Sequence, residues 1–175
     1  MCRSRGLPRT HTLSAQGANF CLWVLHRLGR ADTLAAMLAR TEDVLPQEVA
    51  RAFHGMTRLL RGDAAGAAEQ LSWRYYGGDV AGEYVRALLL IGRRDAAVAV
   101  LDSMRQYAAT AYYNPYNVAK AYAALGATDS AFAWLDRAYE QRTGYLTWLD
   151  VDVGFESLHA DPRWAALRRR MGLGL

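Results

Sequence analysis

The sequence predicts an all-α protein, a right-handed solenoid of α-hairpins closed by a C-terminal capping helix. Three observations carry this. Gly29, Gly62, Gly92 and Gly126 recur at spacings of 33, 30 and 34 residues. Nine residues after each stands a leucine (Leu38, Leu71, Leu101, Leu135), and five after each stands Leu34, Ala67, Ala97 or Ala131. Between these marks apolar residues fall at helical spacing, with four prolines in 175 residues and no long alternating run that would ask for a sheet.

Residues 1–13 read as a disordered basic leader, 14–142 as four hairpins and 143–175 as a capping segment. The first helix is expected over Ser14–Leu28 with Phe20, Val24, Leu25 and Leu28 inward, and its partner from Ala31 to Arg40. Thr41–Pro46 is a turn, and Pro46 can open the next helix, which carries Val49, Ala52, Phe53, Met56 and Leu60 on one face as far as Arg61. Ala64–Tyr75 returns. Gly77-Gly78 ends it, and Asp79 can cap the helix to Ile91. Arg94–Tyr107 is the partner of that helix, and Ala108–Tyr113 a tyrosine-rich spacer. The fourth copy is the clearest. Asn114 can cap it and Pro115 sits at its first position, where a missing N–H costs nothing. Val118, Ala119, Tyr122 and Leu125 share a face, Gly126 supplies the left-handed turn, and Ala131, Leu135 and Ala138 line the return helix.

After Arg142 the pattern changes. Gly144 should break the helix, and Tyr145, Leu146, Trp148 and Leu149 form an apolar patch. Asp161-Pro162 reads as cap and first turn of a last helix with Trp164, Leu167 and Met171 on one side. Trp148 and Trp164 are expected to pack near Leu135 and Tyr139, covering the open end of the array.

The fourth copy, with Ala119, Tyr122, Leu125-Gly126, Ala131, Leu135 and Ala138, resembles the tetratricopeptide repeat, a helix–turn–helix unit of about 34 residues. The third copy fits well, and the first two drift: Arg58 stands where an apolar residue is expected, and Thr41 and Arg74 replace the late alanine. The resemblance covers residues 15 to 142. The tail is similar to the ends of bacterial tetratricopeptide regions fused to kinases, cyclases or transcription regulators.

Composition narrows the function classes. The net charge is +4, but Arg3, Arg5 and Arg9 carry +3 of it, so no basic face of the fold points to nucleic acid. Arg168–Arg170 suit a helix C-terminus. Two cysteines, Cys2 and Cys21, make neither a disulfide framework nor a zinc site. No apolar run is long enough for a membrane span and the N-terminus lacks a secretory core, so a cytoplasmic location follows. The acidic stretch Asp150, Asp152, Glu156 and Asp161 reads as a solvated connector rather than a calcium loop. His11, His26, His54 and His159 have no partner at metal-ligand spacing, and His54 reads as a hydrogen-bonded core or groove residue. No catalytic motif is present, so no enzyme activity, metal or cofactor is expected.

What the resemblance implies is a concave groove lined by the first helices of the hairpins, binding a protein or peptide. Carried over position by position, Trp23, Met56, Arg86 and Lys120 stand six before the turn glycines and Asn19, Ala52, Gly82 and Tyr116 ten before, with Phe20, Phe53, Glu83 and Asn117 adjoining. The expected groove residues are Trp23, Phe53, Met56, Arg86, Tyr113, Tyr116, Asn117 and Lys120. Arg86 and Lys120 would hold an acidic group, and Trp23, Phe53 and Tyr116 would supply apolar contact. The ten-before positions lack the basic residue of a carboxylate clamp. Two other classes stand beside this one: a regulatory module or separate partner of a bacterial kinase- or cyclase-type signalling protein, and a self-associating scaffold.

Overall fold

Helix follows helix along the chain. The computed structural model describes residues 14–72 and 80–173. Within them lie α1 (Ala15–Arg27), α2 (Ala31–Thr41), α3 (Gln47–Leu60), α4 (Ala64–Gln70), α5 (Ala81–Leu90), α6 (Arg94–Thr110), α7 (Pro115–Ala124), α8 (Thr128–Glu140) and α9 (Pro162–Arg170). Three 3-10 stretches, Glu42–Val44, Gly144–Trp148 and Val153–Leu158, complete the order. Every regular element among the described residues is helical. The leader and the Gly77-Gly78 and Asp79 signals lie outside the described residues.

The turn glycines do what their spacing implies. Gly29, Gly62, Gly92 and Gly126 have φ of 65°, 86°, 75° and 74°, a region that costs a residue with a Cβ. After each, the next N–H reaches back five residues, as from Arg30 to Leu25 O and from Ala127 to Tyr122 O, closing the helix end. Asn114 caps α7 as expected, its Oδ1 accepting from Tyr116 N at 3.1 Å, and Asp161 caps α9 through Arg163 N at 2.9 Å.

Several boundaries differ from the sequence reading. The helix expected to reach Tyr75 stops at Gln70, with Leu71 extended. The expected spacer is helical for its first half, since α6 runs on to Thr110. Gly144 does not end α8. Arg142 takes the left-handed position at φ 50°, with Thr143 N bonding to Ala138 O, and Gly144 opens the following 3-10 stretch.

From α1 to α8 consecutive helices pack on one another, and alternate helices touch in a row, α1 on α3, α3 on α5 and α5 on α7. The apolar interior falls into three clusters. Leu22, Leu34, Leu38, Phe53, Met56 and Ala67 centre the one shared by α1–α4. Val85, Leu88, Ala97, Leu101 and Met104 centre that of α5 and α6. The last joins Ala119, Ala131, Leu135 and Ala138 to Leu149, Phe155, Trp164 and Leu167 of the tail. In α1 Ala18 and Leu22 are fully inward and Leu25 packs against the same core as expected, while Phe20 and, at the C-cap, Leu28 are exposed; His26 and Arg27 also point inward.

The last helix, α9, lies against α8. Trp164 is buried in the cluster with Leu135 and Tyr139, and Arg163 reaches Asp129 of α8 at 2.8 Å. Trp148 does not join it. Its ring lies against Phe20 of α1, centroids 6.2 Å apart. The segment from Gly144 to Leu158 thus spans from the fourth hairpin back to the first.

Candidate functional site

That return path places six ionisable side chains in one buried cluster. Three hairpins and the tail each contribute: His26 and Arg27 end α1, Glu83 lies on α5, Tyr116 and Lys120 on α7, and Asp152 in the tail. All are buried. Their charges balance, with Arg27 and Lys120 against Glu83 and Asp152.

Asp152 is the hub. Its Oδ2 accepts from Arg27 Nη1 and from Tyr116 Oη at 2.9 Å. Its Oδ1 accepts from Gly154 N at 2.9 Å and lies 3.3 Å from Lys120 Nζ. Lys120 Nζ also donates to Glu83 Oε1, which lies 2.9 Å from His26 Nε2. Burial pushes both carboxyl groups toward protonation, but the cations and hydrogen-bond donors around them outweigh it. Lys120 and His26 hold Glu83 well below the usual range, and Lys120 and Arg27 hold Asp152 below it. Burial, then the Asp152 charge, drives the Tyr116 phenol well above its ordinary value.

Aromatic rings enclose the cluster on the α1 side. The Arg27 guanidinium carbon lies 5.4 Å from the Trp23 centroid, 5.6 Å from Tyr116, 5.4 Å from Tyr145 and 5.7 Å from Trp148. A desolvated guanidinium gains from facing such rings. Lys120 threads between two glycines. A Cβ at Gly82 would stand 2.8 Å from Lys120 Cβ, and one at Gly154 would stand 2.5 Å from its Cε. Beside His26, Glu83 and Lys120 a cavity of about 20 Å³ remains, which has room for one water and none for a substrate.

The expected groove residues therefore divide. Phe53 and Met56 are core, and Tyr113 fills the cluster around α5 and α6. Tyr116, Asn117 and Lys120 are buried, Tyr116 and Lys120 against the tail. Lys120, expected on an open surface, has its charge engaged inside the chain, because Asp152 and Glu83 are brought to it. Arg86 and Trp23 stay partly exposed. Arg86 and Lys120 both border the small cavity, but no anion-holding pair forms, since Lys120 is already bound.

The acidic connector needs the opposite correction. Asp152 is 1% exposed, although Asp150 and Glu156 beside it face solvent. His54 is exposed, 2.9 Å from Glu42 on the surface. His26, Arg27 and Asp152 were not legible as partners. The available signals were Glu83 and Lys120, opposite charges on the inner positions of first helices one repeat apart, and the Asp-x-Gly turn at Asp152.

Two openings flank the tail. One of about 720 Å³ lies between α1 and the tail, lined by Asn19, Phe20, Trp23 and Tyr145. The other, of about 330 Å³, holds Arg86, Leu90, Val153 and Glu156. Among the described residues no three His, Cys, Asp or Glu side chains are grouped to hold a metal ion, and no helix is long and apolar enough to cross a membrane. No family model, curated protein or solved structure matches the chain.

Proposed function

We propose that the protein is a non-catalytic interaction module of the cytoplasm, an array of tetratricopeptide-like hairpins that binds a protein segment at the opening between α1 and the tail. The observation that carries this reading is the aromatic lining of that opening. Phe20 is 61% exposed although it stands beside the half-buried Trp23 and Tyr145. Aromatic anchors in a partly enclosed recess are the groups that most often dominate interface energies. The buried cluster supports the non-catalytic part, because each of its charges is neutralised internally and its cavity is too small for a substrate.

The test starts with an unbiased pull-down and measures affinity for the partner it returns by calorimetry. Phe20→Ala should weaken that affinity by about tenfold or more, the loss of one aromatic anchor, while leaving the fold intact by circular dichroism. Unchanged affinity in a folded Phe20→Ala chain would remove this surface from the reading.

A further inference from the structure

The face formed by α1, α5 and α7 is already occupied, and its occupant is held in the manner of a bound peptide. A single carboxylate, Asp152, is gripped by Arg27, Tyr116 and Lys120. An aromatic residue stands on each side of it in sequence: Trp148 lies over Arg27, and the Phe155 ring meets Tyr116 edge-on at 5.0 Å. Gly154 fits where a Cβ would strike the Lys120 side chain. Only short 3-10 turns organise the segment, and it is joined to α8 through Arg142, held at φ 50°. Apolar burial alone would not need a carboxylate ringed by four donors. An acid gripped by two cations and a tyrosine selects one register of one kind of segment.

We infer that this face is a recognition site for an acidic segment with the order aromatic, three residues, Asp, one residue, Gly, aromatic, and that residues 148–155 occupy it in cis. A partner carrying a segment of that chemistry enters by displacing them. The inference rests on the interaction-module reading and adds a ligand chemistry and a regulation to it. The tethered segment competes at a high effective concentration, so the closed chain binds an outside segment only in proportion to the small fraction in which the tail is lifted. Whatever lifts the tail raises the affinity.

The experiment uses the full chain and a fluorescein-labelled synthetic peptide of residues 146–157. In Gly154→Val the new side chain collides with Lys120 and unseats the tail, while Arg27, Glu83, Tyr116 and Lys120 are all kept. Labelled peptide should bind this chain at least about tenfold more tightly than it binds wild type, by the gain in open fraction. A peptide carrying Asp152→Asn should bind at least about tenfold more weakly than the parent peptide. Equal binding to wild type and folded Gly154→Val, or equal binding of the two peptides, would overturn the inference. If Gly154→Val fails to fold, a protease site placed between Thr143 and Gly144 of the full chain is cut instead. The excised tail should then exchange with excess parent peptide and not with the Asn peptide, by native mass spectrometry; no exchange, or exchange with both, would overturn it. None of these readouts uses the cellular partner or Phe20, so failure here leaves the α1 opening untouched, and failure of Phe20→Ala leaves this site untouched.

Discussion

On one side of α7, Ala119 and Ala123 share an apolar cluster with Ala131, Leu135 and Ala138 of α8. On another, Tyr116 and Lys120 meet Glu83 of α5 and Asp152 of the tail. The first contact is made of small and branched apolar residues whose packing depends on shape and volume. The second is made of charges whose removal from water is repaid only when each has its partners. The seam can therefore absorb conservative exchange, whereas the charged side requires particular groups at particular places. Apolar packing holds the hairpin together. The ionic side sets which segment may cover it, and in which register.

The largest expected effect breaks the charged side. Asp152→Ala leaves Arg27 buried against four rings without its carboxylate, and breaking one partner of a buried pair costs about 3–5 kcal/mol. Urea unfolding should show a loss of that size. A loss below about 1 kcal/mol, the value of an exposed pair, would mean that the tail does not bury the pair.

Acid and alkali test the same side without mutation. Glu83 and Asp152 titrate below their ordinary values of 4.5 and 3.8, so the stability they contribute is fully present above about pH 4.5 and is lost as the pH falls below it. The Tyr116 phenol titrates above its ordinary 10.0, so its contribution is present below pH 10.0 and is lost as the pH rises through and beyond it. Urea midpoints should drop at both extremes. In Asp152→Asn the acid limb should flatten; a limb as steep as in wild type would assign the acid sensitivity to other carboxylates.

A pair of conservative substitutions sharpens the contrast. Leu135→Met in the seam should cost about 1 kcal/mol, as volume-conserving exchanges do. Lys120→Arg keeps the charge but thickens a side chain wedged against Gly82 and Gly154, and overpacking of that kind costs about 1–3 kcal/mol. Thermal unfolding of the two variants should rank Lys120→Arg as the less stable. The reverse order would mean that the channel between the glycines is loose.

The smallest effect is a gain at the junction of the two regions. Arg142 holds a left-handed backbone that glycine adopts freely. Arg142→Gly should relieve that strain against a modest rise in unfolded-chain entropy, for a net gain of about 0.5–1 kcal/mol. A lower thermal midpoint in this variant would show that the Arg142 side chain contributes more than its backbone costs.

The four turn glycines, the leucines nine residues after them and the caps at Asn114 and Asp161 were legible in the sequence, because each acts within a few residues of itself. A left-handed turn needs glycine whatever surrounds it, and a cap needs one side-chain oxygen at one position. The seam of the fourth hairpin was legible for the same reason, since helical spacing alone puts Ala131, Leu135 and Ala138 on one line. Gly144 misled because a glycine four residues past the helix end carries the same local signal as one at the end, and here the left-handed position fell on Arg142.

The charged side had no such local signal. Asp150, Asp152 and Glu156 are equally acidic and lie within seven residues of one another in sequence, yet only Asp152 is buried. What distinguishes it is Arg27, 125 residues away in the chain. A carboxylate enters an apolar interior only if cations and donors have been gathered there, and that gathering is a property of how α1, α5, α7 and the tail meet. Lys120 has the same ambiguity. By itself the sequence determined that helices form, where the four glycine turns fall and which face joins the helices of the fourth hairpin. The tertiary structure alone decided that the row of first helices is covered by the chain's own tail, because the free energy of a buried charge is set by partners from distant parts of the chain rather than by its neighbours in sequence.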